Sequence, residues 1–288
     1  SFFNIPVICV GNVIAGGAGK TPLIIELCKY YKKKNINIHI IYKAYRTRLK
    51  KKAIKVKTED YDVSIEDEAT LVSEFAVTWI CKKRKDGIYA AIKEGAKLIL
   101  LDDGYQDLSV SKSLNILVSN QSQGNGNLKV IPAGPLRESL NSALNRSDCI
   151  FFYGNKKSFD ENFKGYNKNC FFGEIVSDAK NLKKFKKGKV IAFAGIAHPD
   201  NFFNFISDYG VHIHRKIYFP DHYKYTREEI LKIISQSQAE TTNILTTAKD
   251  YVKVPHDLKK YISAIDISIK FENELFFSFI NKSIGIDV

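Results

Sequence analysis

Short apolar runs rich in Val and Ile recur along the chain with helical patterns between them, beginning at Ile5-Pro6-Val7-Ile8-Cys9-Val10. Each run is nearly continuous rather than alternating, which is the pattern of strands buried on both faces of a parallel sheet. A glycine loop follows the first run, and Lys20 to Lys34 reads as a helix. The pattern then predicts a strand at 36–42, helices at 66–78 and 86–94, and a buried strand at 97–101 (KLILL) ending in Asp102-Asp103. Another strand is expected at 114–118, a turn into a helix between Pro132 and Arg146, and a closing strand at 149–153. Alternation of this kind predicts an α/β fold with a mostly parallel sheet flanked by helices.

Residues 154–188 change character, becoming rich in Lys, Asn and Gly, and read as a linker. A second, smaller α/β set follows. It comprises a strand at 190–194, a helix at 200–208, a β segment at 211–219, a helix at 226–236, strands at 243–247 and 262–269, and a last helix from Asn273 to Ile280. The expected organisation is therefore a first domain at 1–153, a linker at 154–188 and a smaller α/β domain at 189–288 that closes over the cleft.

Chemistry enters at the end of the first strand. Gly16-Gly17-Ala18-Gly19-Lys20-Thr21 sits between a hydrophobic strand and a helix, the context a phosphate loop requires. Glycines let backbone N–H groups wrap a phosphate, and the helix N-terminus adds a favourable dipole. Lys20 would reach the β- and γ-phosphates, the Thr21 hydroxyl would bind Mg²⁺, and Pro22 suits the first helical turn. The first glycine of the usual phosphate-loop string falls at Ile14. Asp102-Asp103 ends a strand where the acid of a phosphate-loop NTPase belongs, able to hold Mg²⁺ directly or through water. The fold expected is thus of the P-loop NTPase type. Arg137 follows a Pro- and Gly-rich stretch and suits a phosphate grip; Lys249 and Asp250 follow a strand, as base-reading residues do in some GTPases.

Composition narrows the classes. With 288 residues and 44% hydrophobic content the chain has material for two cores, and its 26% charged content is ordinary for a globular protein. No run approaches the roughly 20 apolar residues of a membrane span. The five cysteines are scattered without a CxxC pair, which argues against a disulfide framework or zinc site. There is no methionine, so the native start is expected to lie outside this chain. The net charge of +13 is concentrated between Lys29 and Lys57, where twelve Lys or Arg residues stand without an acid. Such a stretch attracts phosphates and anionic membranes, while the absence of zinc-finger or RNP-type strings argues against a nucleic-acid module.

The strings themselves resemble one family. GNVIAGGAGKTP at 11–22 is similar to the phosphate loop of tetraacyldisaccharide 4'-kinases of lipid A biosynthesis. In the same order follow EDEA at 66–69, DDGYQ at 102–106, IPAGPLRES at 131–139, AFAGIAHPDNFF at 192–203, FPDHYKYT at 219–226 and TTAKD at 246–250. The resemblance implies transfer of the ATP γ-phosphate, with Mg²⁺, to the 4'-hydroxyl of an acylated disaccharide 1-phosphate. It implies a peripheral enzyme at the cytoplasmic face of the bacterial inner membrane, without nucleic acid and with no obligate protein partner. By the same resemblance Asp67 is the base, His222 its orienting partner and Lys20 a catalytic cation. Gly16, Gly17, Ala18, Gly19, Lys20 and Thr21 cradle the nucleotide; Thr21, Asp102, Asp103 and Glu68 serve the metal; Arg137 and Asn12 meet the substrate. The chain departs from the family at Tyr42-Lys43-Ala44-Tyr45-Arg46, where a basic residue and two glycines are altered, and at Ala69, Asp107 and Ala248. The resemblance also implies an amphipathic N-terminal helix that rests on the membrane, which this chain, starting just before its first strand, would lack. A second reading shares the loop and acids: a GTPase or ATPase switch acting on a protein or metal partner, in which TTAKD would read guanine. A third is nucleic-acid binding driven by charge.

Overall fold

The computed structural model describes residues 3–15, 18–44, 49–56, 67–163, 165–166, 168–177 and 182–287. They form two compact units. The first comprises residues 1–56, 72–175 and 269–288, and the second residues 57–71 and 176–268.

The first unit is built on a nine-stranded sheet in the order β13-β8-β7-β6-β1-β5-β2-β4-β3. Its strands are β1 (Val7–Gly11), β2 (Ile38–Lys43), β3 (Ala53–Lys55), β4 (Val77–Cys81), β5 (Leu98–Asp102), β6 (Leu114–Asn120), β7 (Cys149–Tyr153), β8 (Asn169–Ser177) and β13 (Ile267–Phe271). From β4 through β8 every neighbouring pair is parallel, and β3 joins antiparallel to β4. Strands β1, β5 and β7 are buried at every position, as continuous apolar runs require. Helix α1 (Lys20–Lys33) buries Leu23, Ile24, Leu27, Cys28 and Tyr31 at helical spacing and ends on Lys32 and Lys33, which suit its negative pole. The other helices are α3 (Arg84–Lys93), α4 (Leu140–Arg146), α5 (Lys156–Asn162) and the C-terminal α9 (Leu275–Ile284), while α2 (Asp67–Ser73) belongs to the second unit as far as Leu71. Tyr31 Oη donates to Asn281 Oδ1 at 2.9 Å, and Tyr30 stacks on Phe277, so α9 is fastened to α1.

The second unit carries a four-stranded, wholly parallel sheet in the order β10-β9-β11-β12. These are β9 (Lys189–Ala194), β10 (His212–Tyr218), β11 (Asn243–Thr247) and β12 (Ile262–Ile265), with helices α6 (Pro199–Asp208), α7 (Arg227–Ala239) and α8 (Ala248–Tyr251). Side chains alternate across a strand, and β9 shows it. Val190, Ala192 and Ala194 join a core with Phe203 and Ile206 of α6, whereas Ile191 and Phe193 join another with Ile230, Ile233 and Ile234 of α7. Both faces are therefore covered.

Four expectations are corrected. The helix expected at 66–78 stops at Ser73, and Val77-Thr78-Trp79-Ile80-Cys81 pairs with β2 because a β-branched and aromatic run favours a strand. The segment 154–188 is no mere linker: it supplies α5 and β8, whose Cys170, Phe171 and Phe172 pair with Ile150, Phe151 and Phe152. The single strand expected at 262–269 is two, β12 in the small sheet and β13 in the large one. The C-terminal residues 269–288 accordingly belong to the first unit, and residues 57–71 to the second, not to the halves the linear order suggested.

Candidate functional site

In the first unit β1 lies between β5 and β6. Register pairs Val10 with Asp102, and the Asp103 N–H donates to the Val10 carbonyl. The glycine loop and the two acids are thus brought together by strand pairing alone. Gly16 and Gly17 lie outside the described residues, as do Tyr45 and Arg46. Ala18 is buried, and Gly19 caps α1 at φ 88°, a left-handed conformation. A Cβ on Gly19 would stand 2.7 Å from the Tyr153 ring, whose hydroxyl donates to the Gly19 carbonyl at 2.8 Å. No side chain caps the helix and no acid occupies its first turn, so the helix opens with its positive pole uncompensated. Lys20 and the half-buried Thr21 stand in that turn.

Lys20 Nζ lies 3.5 Å from Asp103 Oδ1 and donates to Asn12 Oδ1 at 3.2 Å. Arg137 Nη1 donates to Asp103 Oδ2 at 2.7 Å. Burial alone would raise the Asp103 carboxyl, but the Lys20 charge and the Arg137 hydrogen bond outweigh it and hold it below the usual carboxylate range. Arg137 is delivered by a loop laced to the chain before the glycines: its N–H donates to the Val13 carbonyl and the Ala15 N–H to that of Pro135. Asn12, expected to meet substrate, lies inside the cluster. It is 1% exposed, its Nδ2 donates to the Ile14 carbonyl, and its Oδ1 accepts from Lys20 Nζ. Gln106 completes the cluster by donating to the Asn12 carbonyl and to Glu138.

Sequence reasoning missed Arg84. It is 1% exposed, donates to the carbonyls of Asp102 and Asp103 at 3.2 and 2.8 Å, and to Asp107 at 2.8 Å. It therefore clamps the turn that carries both acids. Within the run Lys82-Lys83-Arg84-Lys85 nothing local marks one cation as buried. A cavity of about 240 Å³ beside this turn is lined by Lys43, Arg84, Asp103, Gln106, Asp107 and Leu108.

The second unit gathers the remaining strings. Asp67 opens α2, and its Oδ2 lies 3.3 Å from His222 Nδ1. His222 adopts φ 58°, with its N–H held by the Asp221 carboxylate. Lys249 Nζ lies 3.5 Å from His222 Nε2 and 3.7 Å from both Glu68 Oε1 and Asp221 Oδ1. Beneath them Asp250 is wholly buried. Its Oδ2 accepts from the Gly195 N–H at 3.0 Å and the Thr247 hydroxyl at 2.7 Å, and its Oδ1 accepts from Tyr225 at 2.9 Å and meets Lys253 at 2.7 Å. Asp250 is thus no base reader. Three strings far apart in the chain, AFAGI, FPDHYKYT and TTAKD, converge on this one carboxylate. Lys253 was also missed, although its place three residues after Asp250 in the turn following β11 was a usable signal.

The seven strings accordingly sort into two clusters. GNVIAGGAGKTP, DDGYQ and IPAGPLRES build the Lys20–Asp103–Arg137 group of the first unit, and the other four build the Asp67–His222 group of the second. Among the described residues no three His, Cys, Asp or Glu side chains form a ready metal cage, and no helix is long and apolar enough to cross a membrane.

The sequence model of the tetraacyldisaccharide-1-P 4'-kinase family (LpxK) matches residues 2–285. A tetraacyldisaccharide 4'-kinase of Paramagnetospirillum magneticum is 33% identical over 270 residues, covering 93% of this chain and 82% of the relative. One from Rhodospirillum centenum is 32% identical over 268 residues, covering 93% and 80%. Among solved structures, a crystal structure of LpxK from Aquifex aeolicus in complex with ATP superposes with a TM-score of 0.77 over 98% of this chain and 89% of that one. At 24% identity that likeness speaks for the fold. A match across nearly the whole chain, with the motif residues gathered into two charged clusters, places the chain in the tetraacyldisaccharide-1-P 4'-kinase family of phosphotransferases.

Proposed function

We propose that the chain transfers the γ-phosphoryl group of ATP, with Mg²⁺, to the 4'-hydroxyl of a tetraacyldisaccharide 1-phosphate in lipid A biosynthesis. The observation that carries this reading is the Asp67–His222 contact, 3.3 Å between side chains 155 residues apart. An acceptor hydroxyl must lose its proton as its oxygen bonds to phosphorus, and a carboxylate oriented by an imidazole suits that task. A guanine-reading switch finds no support in Asp250, whose carboxylate is spent inside the protein.

The first unit fits a nucleoside triphosphate. Gly19 leaves room at an uncapped helix start, and Lys20 and Arg137 are held beside it on a carboxylate that phosphate oxygens would displace. The ATP of the Aquifex crystal structure supports the same donor. Mg²⁺ takes few protein oxygens and fills its shell with phosphate and water. The hydroxyl of Thr21 and the carboxylates of Asp102 and Asp103 are hard donors of that kind, and the reading assigns Glu68 as a further one. When bound, the metal supplies charge neutralisation at the β- and γ-phosphates. Lys20 and Arg137 bind and orient the γ-phosphoryl oxygens. Asp67 takes the hydroxyl proton as the new O–P bond forms and the bond from the γ-phosphorus to ADP breaks. An acceptor with four acyl chains puts the enzyme at a membrane surface, and the +13 charge favours peripheral residence on the anionic cytoplasmic face.

The test is label transfer from γ-labelled ATP to a tetraacyldisaccharide 1-phosphate in detergent micelles with Mg²⁺, run beside Asp67→Ala. Label in the lipid, lost in the variant, is expected. Release of labelled phosphate with none in the lipid would overturn the kinase reading in favour of an NTPase.

A further inference from the structure

We propose that Lys253 is a positioning residue for Asp67: it holds the carboxylate by one oxygen, Oδ2, and thereby presents the other, Oδ1, as the atom that takes the acceptor's proton. The inference rests on the kinase reading and deepens it. Lys253 Nζ stands 3.7 Å from Asp67 Oδ2, the same oxygen that His222 Nδ1 meets at 3.3 Å. Among the described residues both contacts of Asp67 fall on that oxygen, leaving Oδ1 to a ligand.

The lysine is not a mobile surface cation. Its side chain is 2% exposed, with Asp250 at 2.7 Å and the Tyr225 ring at 5.2 Å. Asp250 is in turn fixed by the Gly195 N–H, the Thr247 hydroxyl and the Tyr225 hydroxyl. The ammonium therefore has one position, set by a rigid buried frame. A lysine buried for structure alone needs one carboxylate; this one has a second, which is the proposed base. Lys249, one-fifth exposed, completes the arrangement from the other side of the imidazole. A proton on His222 Nδ1 donates to Asp67, while Nε2 faces Lys249 at 3.5 Å and the Asp221 carboxylate at 3.8 Å.

Lys253→Met alone would strand the Asp250 charge in the core, so the diagnostic variant pairs it with Asp250→Asn; Lys253→Arg is the conservative control. The paired variant is expected to melt cooperatively, to keep its KM for ATP within about twofold, and to lose about 10–100-fold in kcat, as loss of orientation at a reacting group does. Lys253→Arg should recover most of that loss. A second readout does not need turnover: the imidazole ¹⁵N signals of His222 should show a Nδ1–H ring in the parent and a shifted, mixed population in the paired variant. A folded paired variant with parental kcat, an arginine variant as slow as the paired one, or a kcat loss matched by an equal rise in KM for ATP would overturn the proposal. If the parent transfers no label to lipid, the kinase reading fails separately. The His222 signals then decide alone: displaced in the paired variant, they uphold the Lys253–Asp67 coupling, and unchanged, they overturn it.

Discussion

Around Lys20 the charges are partly exposed and paired with one another across loops; around Asp250 they are buried, paired with each other and fixed by two hydroxyls and a backbone N–H. Lys20, Asp103 and Arg137 side chains are 11, 23 and 29% exposed, whereas Asp250 and Lys253 are 0 and 2%. The difference is one of exchangeability. A lysine resting 3.5 Å from a carboxylate trades it for a phosphate at small cost, since both stay near water. A lysine at 2.7 Å from a wholly enclosed carboxylate cannot leave, because each would strand the other's charge. On the proposed reading, one cluster receives a ligand and the other holds Asp67 still.

The sharpest way to break that comparison is to remove one cation from the exchangeable cluster. Lys20→Ala should lower phosphoryl transfer by about 10³-fold, the scale of losing a main charge-stabilising group. It should change unfolding free energy by less than about 1 kcal/mol, because Arg137 remains on Asp103. Label transfer and urea unfolding measure the two quantities; a large stability loss would show that Lys20 is scaffold after all. In the buried cluster the pattern should reverse. Asp250→Ala leaves the Lys253 ammonium enclosed and deprives Gly195, Thr247 and Tyr225 of their acceptor. A loss of about 3–5 kcal/mol in unfolding free energy is expected, and a variant as stable as the parent would dissolve the distinction.

The same contrast explains what the sequence could and could not disclose. The phosphate-loop cluster was legible because its parts lie at strand ends that hydrophobic runs predict. Ile5 to Val10 and KLILL locate β1 and β5, and parallel pairing then sets Asp102 beside Val10. The Asp250 hub was not legible as a whole: Thr247 and Lys253 lie three residues to either side of it, but Gly195 and Tyr225 come from distant segments that only tertiary folding joins. Arg84 looks like any lysine-rich surface position until β5 and its following turn close over it. Strand β4 was misread because the helical pattern from Asp67 runs without a glycine or proline into Val77-Thr78-Trp79-Ile80-Cys81. Strand β8 was missed because a polar stretch hides its short Cys170-Phe171-Phe172 core.

A smaller effect is expected where the exchangeable cluster depends on backbone shape. Gly19→Ala puts a Cβ at φ 88° and against the Tyr153 ring. The left-handed conformation costs about 1–2 kcal/mol, and the crowding adds to it. Thermal melting should fall accordingly, with weaker ATP binding by calorimetry. Adding Tyr153→Leu should return the crowding part and not the backbone part. Full recovery in that double variant would mean that the backbone conformation at Gly19 is unimportant.

Asp107 tests the boundary between the two plans, for it is a scaffold acid inside the exchangeable unit. It occupies a position where the family carries a histidine, and it is the carboxylate that balances the buried Arg84. Burial pushes its carboxyl up, but two hydrogen bonds from Ser109 and the Arg84 guanidinium outweigh that and bring it down to about 2. A folded-state value below the unfolded one stabilises the protein above the ordinary carboxylate range, and the contribution fades as pH falls through the folded value. Asp107→Asn should therefore cost about 1 kcal/mol at pH 7, reduced from the full linkage value because the side chain touches water. The gap to the parent in urea unfolding should narrow from about pH 4 downward and close only below about pH 2. If it stays constant with pH, Asp107 holds Arg84 by shape and hydrogen bonding alone, and its charge is not what fixes the turn beneath Asp102 and Asp103.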